Sequence, residues 1–275
     1  MFFPRMLIDG KDSDQIAADD RGLLYGDGLF ETFAVRNGVP QLWSQHLDRL
    51  QRDCARLGIV PPPVELLHTE ALQLCAGHAR AVLKIVITRG SGGRGYRLPE
   101  QAMPRRILSL HPWPGYPEQY ATQGVRARLC TLRLGSNPRL AGIKHLNRLE
   151  QVLARAEWND PGIAEGLLLD GAGHLVEGTM SNVFLVRDGC LLTPVLDECG
   201  VAGVMRAQIL EQAARLGIPG VVAPLRLDDV ATAEEMFFCN SLIGLWPVRQ
   251  FEQQEFAVGP LTRCLQQAIE SPDHA

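Results

Sequence analysis

Leu134-Gly135-Ser136-Asn137-Pro138-Arg139-Leu140-Ala141-Gly142-Ile143-Lys144-His145-Leu146-Asn147-Arg148-Leu149-Glu150 sets one lysine between a small, apolar approach and a run with helical spacing. Apolar side chains recur at Leu146, Leu149, Val152, Leu153 and Ala156, the pattern of one buried helix face, which places Lys144 at the entry to a packed helix. Burial there disfavours the ammonium form, lowers the lysine pKa and yields an amine that attacks carbonyl carbon to form a Schiff base. On these residues alone an ordinary solvated lysine is the competing reading, because lysine is seldom fully buried.

The surrounding chain narrows the function classes. Its 275 residues are 46% hydrophobic, enough for one large or two modest cores, and its formal net charge is −4 without a dense Lys/Arg run. Nucleic acid and a polybasic membrane face are therefore not expected as partners, and a small molecule is. No run of about 18 apolar residues occurs, and the first residues lack a charged leader, so the expectation is a soluble, cytosolic protein with no membrane association. Seven cysteines, widely spread and never in a C-x-x-C pair, argue against a disulfide framework and a zinc site; most are expected in cores. No metal is expected: H-E-x-x-H is absent, as are G-x-S-x-G and S-x-x-K.

The order of elements predicts a mixed α/β and α+β fold in two domains. Leu29 to Arg36 reads as a strand, Asn37-Gly38 as a hairpin turn, and Val39 to Leu42 as its return. A helix capped by Ser44 follows, with Leu47, Leu50, Cys54 and Leu57 inward and Gly58 as its stop. A second helix is expected within 64 to 77, then strands at 81 to 88 and 106 to 110. His111-Pro112-Trp113-Pro114-Gly115-Tyr116-Pro117 is stiff and rich in turn formers. It divides a smaller domain, 1–111, from a larger one, 125–275, with 112–124 as the linker. Strands are expected near 125–133, 165–169, 182–187 and 220–225, and helices near 145–158, 204–216 and the C-terminus.

Three further motifs carry chemistry. Arg89 to Tyr96, RGSGGRGY, satisfies G-x-G-x-x-G after a strand, but Tyr96-Arg97-Leu98-Pro99 does not open the helix that a dinucleotide site requires. A substrate loop carrying Arg94, Tyr96 and Arg97 fits better, arginine being suited to carboxylates. Gly200-Val201-Ala202-Gly203-Val204-Met205-Arg206 opens a helix ending at Gly217; its first amides form a ready anion site, although on this motif alone a simple loop into a packed helix is the ordinary reading. Glu177 between strand-like runs either faces solvent, the ordinary case, or has a cationic partner; Arg49, offset from the apolar stripe of its helix, is by default on the surface.

Taken in order, Tyr25-Gly26-Asp27-Gly28-Leu29-Phe30-Glu31, His46-Leu47-Asp48-Arg49-Leu50, Lys144, Glu177, the 200–206 loop and Asn240-Ser241 resemble the fold type IV pyridoxal-phosphate enzymes, the D-amino acid and branched-chain aminotransferase-like family. RGSGGRGY and NPRLAGIKHLNRLEQ most resemble its lyase branch. The resemblance implies pyridoxal 5′-phosphate as cofactor, two αβ domains with the cofactor between them, and a homodimer. It implies Lys144 as the Schiff-base lysine and general base, and Glu177 as partner of the pyridine nitrogen. Arg49, the Val204 and Met205 amides and the Ser241 hydroxyl are implied as the phosphate site. Thr32 is a candidate hydroxyl near the leaving group, and Arg94, Tyr96, Asn147 and Arg148 are candidates for the substrate's carboxylates. The expected reaction cleaves 4-amino-4-deoxychorismate to 4-aminobenzoate and pyruvate; transamination is the alternative. Met205, where the aminotransferases commonly carry threonine, Leu149, where the branched-chain enzymes carry tyrosine, and Phe30, where the D-amino acid enzymes carry tyrosine, weaken a transaminase assignment.

Overall fold

The computed structural model describes residues 5–270. The chain divides into two compact units. One runs through Gly115 and takes back Lys144–Asn147; the other comprises Tyr116–Ile143 and the chain from Arg148 onward.

In the first unit, strands β1 (Arg5–Ile8), β2 (Lys11–Asp12), β3 (Gly28–Arg36), β4 (Val39–Pro40), β5 (Arg80–Thr88) and β6 (Arg105–Pro112) form a sheet in the order β2-β1-β6-β5-β3-β4. Every pairing is antiparallel. Alternation along β3 sends Leu29, Phe33 and Val35 into one core with Leu47, Leu50, Leu67, Leu74, Leu83, Ile85 and Leu108. That core lies under α2 (Trp43–Leu57) and α3 (Val64–Cys75); α1 (Arg21–Tyr25), not expected from sequence, is capped by Asp20 Oδ1 accepting from Gly22 N. Phe30 and Thr32 lie on the opposite face of the sheet.

Asn37 (φ 49°) and Gly38 (φ 80°) both adopt the left-handed conformation that a two-residue hairpin turn requires. The returning strand is shorter than expected. Leu42 is itself left-handed (φ 52°) and turns the chain into α2, so Leu42 and not Ser44 occupies the cap position; the Ser44 hydroxyl donates to Gln45 Oε1 instead. Gly58 (φ 63°) ends α2 as expected.

The second unit contains α4 (Gln119–Gln123), β7 (Val125–Leu134), α5 (Leu149–Arg155), β8 (Ile163–Asp170), β9 (Leu175–Gly178), β10 (Asn182–Arg187), β11 (Cys190–Pro194), α6 (Val204–Arg215), β12 (Gly220–Ala223), α7 (Leu227–Ala231), β13 (Glu235–Asn240), β14 (Gly244–Phe251), β15 (Gln254–Glu255) and α8 (Pro260–Glu270). Its sheet runs β12-β11-β10-β13-β14-β7-β8-β9, with β15 paired to β14. The β7–β8, β7–β14 and β11–β12 pairs are parallel and the rest antiparallel. The crossover from β11 to β12 is α6, the crossover from β7 to β8 carries α5, and both follow the requirement that parallel neighbours be joined by a long connection.

One expectation is overturned here. The helix begins at Leu149, not near 145, and Leu149, Val152 and Leu153 are 68%, 62% and 53% exposed; only Ala154 enters the core, beside Cys130, Leu134, Trp158, Leu168 and Val176. The cause lies just upstream. Lys144 O accepts from Phe30 N and Leu146 N donates to Gly28 O, each at 3.0 Å, so this segment is held against β3 and cannot begin a helical turn. Cysteines 54, 75, 130 and 239 are buried, 190 and 199 half-buried and 264 exposed, all as free thiols.

Candidate active site

Lys144 is half-buried in that clamped segment, not in a helix. Its backbone N–H points to Asp53 Oδ2 (3.4 Å), and its Nζ stands 4.3 Å from the centre of the Phe30 ring. The backbone bonds fix the segment whatever side chain residue 144 carries, so the amine is placed by β3.

Behind β3, Glu31 points to the helix side and meets α2. Arg49 Nε donates to Glu31 Oε1 (2.8 Å), Arg49 Nη2 donates to Oε2 (2.5 Å), and His46 Nδ1 lies 2.6 Å from the same Oε2. Arg49 is only 5% exposed, which corrects the surface default drawn from its helical offset. Its fork is therefore set in one plane by a buried carboxylate. Burial pushes the Glu31 carboxyl up, but the Arg49 charge and the hydrogen bonds from His46 and Arg49 outweigh it and bring the pKa from 4.5 down to about 2. Burial also lowers His46, against the opposing pull of Glu31, and raises Asp53. Glu31 and His46 escaped the sequence reading, although strand alternation already aims Glu31 at the helix and His46 stands one turn before Arg49.

A depressed carboxyl pKa contributes stability that is complete above the unfolded value of 4.5 and is lost as pH falls towards 2. Glu31→Ala removes the carboxylate partner of a buried guanidinium, a change costing about 3–5 kcal/mol. Thermal melts should show a large drop at pH 7. The gap between wild type and Glu31→Gln should narrow between pH 4.5 and 2; a constant gap across that range would contradict the assignment.

In the second unit, Glu177 lies within β9 at 4% exposure, so the solvent-facing default is also corrected. Val201 N donates to its Oε2 (2.8 Å) and Gln151 Nε2 to its Oε1 (3.3 Å). Arg148 precedes α5; burial lowers its pKa and the Glu177 and Glu150 charges raise it. Below the end of β9, Glu165 accepts from Thr179 N (3.0 Å), Thr179 Oγ1 (2.5 Å) and Ser181 Oγ (2.7 Å) and holds the turn that follows Glu177. Burial pushes Glu165 up.

The α6 N-terminus is built as the glycine pattern suggested. Gly203 precedes Val204 and Met205, no side chain caps the helix, and a Cβ at Gly203 would stand 2.1 Å from Asn182 Oδ1. Asn182 Nδ2 in turn donates to Val201 O (2.8 Å). First-turn amides at a helix start carry partial positive charge and suit an anion. Ser241 follows β13 in a turn organised by Asn240, whose Oδ1 accepts from Leu242 N and Ile243 N.

The remaining candidates are dispersed. Thr32 is half-buried on the Phe30 face of β3. Asn147 is exposed, its Nδ2 donating to Gly26 O (3.3 Å). Arg94 is exposed, as is Tyr96, whose ring lies 5.4 Å from that of Tyr25. Their loop is suspended by backbone: Arg21 Nη1 donates to Gly95 O (3.1 Å), Gly95 N donates to the Tyr25 hydroxyl (3.3 Å), and Asp27 holds Arg21 and Arg89 together at 2.8 Å each. No helix follows the loop, so the dinucleotide geometry is absent, as argued from Pro99. Among the described residues no group of three or more His, Cys, Asp or Glu side chains could hold a metal ion, and no helix is long and apolar enough to cross a membrane.

The first unit thus presents the Lys144 amine and the buried Arg49 guanidinium, and the second presents the buried Glu177 carboxylate and the uncapped start of α6. Residues 28–251 match the family model described as Amino-transferase class IV, and the chain belongs to that family. Its sheets and helices are those of the fold type IV enzymes expected from the motifs. More particularly, it is 36% identical to the aminodeoxychorismate lyase of Vibrio harveyi over 263 residues, 94% of this chain and 97% of that one. It is 32% identical to a putative branched-chain-amino-acid aminotransferase of Methanocaldococcus jannaschii, over 94% of this chain and 91% of that protein. The crystal structure of 4-amino-4-deoxychorismate lyase from Pseudomonas aeruginosa matches with a TM-score of 0.93 and 52% identity, covering 96% and 97% of the two chains.

Proposed function

We infer that the chain is a pyridoxal-phosphate-dependent lyase that converts 4-amino-4-deoxychorismate to 4-aminobenzoate and pyruvate, a step that supplies folate synthesis. The observation that carries this reading is the full-length likeness, at 36% and 52% identity, to two proteins named for that activity.

The residues fit the cofactor chemically. Arg49, the Val204 and Met205 amides and the Ser241 hydroxyl would hold the phosphate; Glu177 would keep a proton on the pyridine nitrogen; Lys144 would hold the aldehyde end. When bound, pyridoxal phosphate supplies a sink for the electron pair left when a proton leaves the carbon bearing the substrate nitrogen. Lys144 Nζ takes that proton as general base. The ether bond from ring carbon to enolpyruvyl oxygen breaks, the departing group gains a proton and leaves as pyruvate, and the ring becomes aromatic. Thr32 Oγ1 is assigned to the departing side, and Arg94, Tyr96, Asn147 and Arg148 to the substrate carboxylates. Purified protein should be yellow and should release equal amounts of 4-aminobenzoate and pyruvate. Keto acid formed from an added amino acid, with no 4-aminobenzoate, would establish the transaminase instead.

The exposed apolar face of α5 supports a homodimer. Leu149, Val152 and Leu153 are contiguous at helical spacing, and such a stripe is costly in water. Sedimentation should give twice the chain mass, and Leu153→Glu should shift the population towards the single chain. A wild-type protein that sediments as one chain at all concentrations would remove the dimer from the reading.

A further inference from the structure

The face of the first sheet turned away from α2 and α3 carries a second lysine. Register places Thr32, Lys84 and Ser109 side by side across β3, β5 and β6, with Phe30, Val86 and Ile107 in the row before them and Ala34, Val82 and His111 in the row after. Lys84 Nζ stands 4.9 Å from the centre of the Phe30 ring, the same ring that Lys144 Nζ approaches to 4.3 Å. Ser109 Oγ and His111 Nε2 are 2.9 Å apart. A polar row of this composition, one cation with two hydroxyls and an imidazole, is set into apolar neighbours on a half-buried surface.

The row lacks an acid. Among the described residues no carboxylate pairs with Lys84, and its pKa is lowered by desolvation alone. His111 is lowered too, first by burial and then by the Lys84 charge. A structural lysine in the middle strand of a sheet ordinarily snorkels to water or meets a carboxylate. Here the strand half-buries the Lys84 amine and, among the described residues, supplies no counter-charge, while Thr32 and Ser109 flank it with hydroxyls able to donate to an anion. The arrangement is that of a receptor for a carboxylate brought from outside the chain.

We propose that Lys84 binds a carboxylate of the substrate, with the Thr32 and Ser109 hydroxyls beside it, on the same sheet face to which Lys144 presents its amine. The assignment rests on the lyase reading above and gives one of the substrate's two carboxylates a specific ammonium. Phe30, touched by both amines, then sets the distance between the reacting end of the substrate and its anchored acid group.

The test uses the cofactor-loaded enzyme and two variants, Lys84→Met and Lys84→Arg. Methionine keeps the stem's volume and removes the charge, so the cofactor absorbance and kcat should stay near wild type while KM rises about 10- to 100-fold, the worth of one charge-assisted contact. Arginine should recover most of the loss. Calorimetric titration of the two products supplies a readout independent of turnover. Weakened 4-aminobenzoate binding in Lys84→Met assigns the ring carboxylate, and weakened pyruvate binding assigns the enolpyruvyl one. An unchanged KM with unchanged binding of both products would overturn the proposal, as would an equal loss with Lys84→Arg and Lys84→Met. A wild-type protein that is colourless or inert towards 4-amino-4-deoxychorismate would instead strike the underlying reading.

Discussion

Lys144→Ala should lower kcat by at least about 10⁴-fold, because in the proposed function one amine both anchors the cofactor and moves the substrate proton, and general base catalysis alone contributes about 10²–10⁴. The fold should survive the change. Residue 144 is held by its carbonyl, which accepts from Phe30 N, and its neighbour Leu146 is held by Gly28 O, so truncating the side chain leaves both bonds in place. Circular dichroism and the thermal midpoint should stay near wild type while pyruvate release disappears. Borohydride reduction of wild type followed by peptide mapping should mark Lys144. A variant that still turns over, or a label on another lysine, would defeat the assignment.

Glu177→Gln should keep the cofactor but slow the reaction about 10²- to 10³-fold, the usual scale for losing one preorganised charge aimed at the reacting system. The substitution preserves shape. A glutamine oxygen still accepts from Val201 N, and Gln151, whose Oε1 is buried without a partner, can turn its amide to accept from the new NH₂. Stability is thus expected to change little, and the loss should appear in kcat with the cofactor content measured by absorbance unaltered. Retained wild-type kcat would show that the carboxylate does not act on the ring nitrogen.

Much of the fold was legible because local patterns and tertiary burial agree. β3, the Asn37-Gly38 turn, α2 with its Gly58 stop and α6 with Gly217 beyond it all follow from alternation, helical spacing and glycine conformation. The misreadings share a cause. Leu149, Val152 and Leu153 have the spacing of a buried face, but periodicity states only that a face is apolar and cannot say what covers it. Ser44 has the composition of a cap, yet a left-handed Leu42 turns the chain one residue before the helix begins. Arg49 and Glu177 look like surface residues when each is weighed alone; their burial depends on Glu31 and on the Val201 amide, partners 18 and 24 residues away. Only the family resemblance joined them, because single-residue reasoning assigns each charge its commonest environment. The Glu31–His46–Arg49 cluster went unread for the same reason.

The glycine-rich loop between β5 and β6 hangs from main-chain atoms: its Gly95 oxygen is gripped by Arg21 and its Gly95 nitrogen by the Tyr25 hydroxyl, and no side chain at 94 takes part. Such a mounting separates architecture from selectivity. Positions 94 and 96 can drift among arginine, lysine, asparagine or aromatic residues while the main-chain bonds beneath them stay put; under the proposed function this gives an evolving lineage a dial for new acids at little risk to folding.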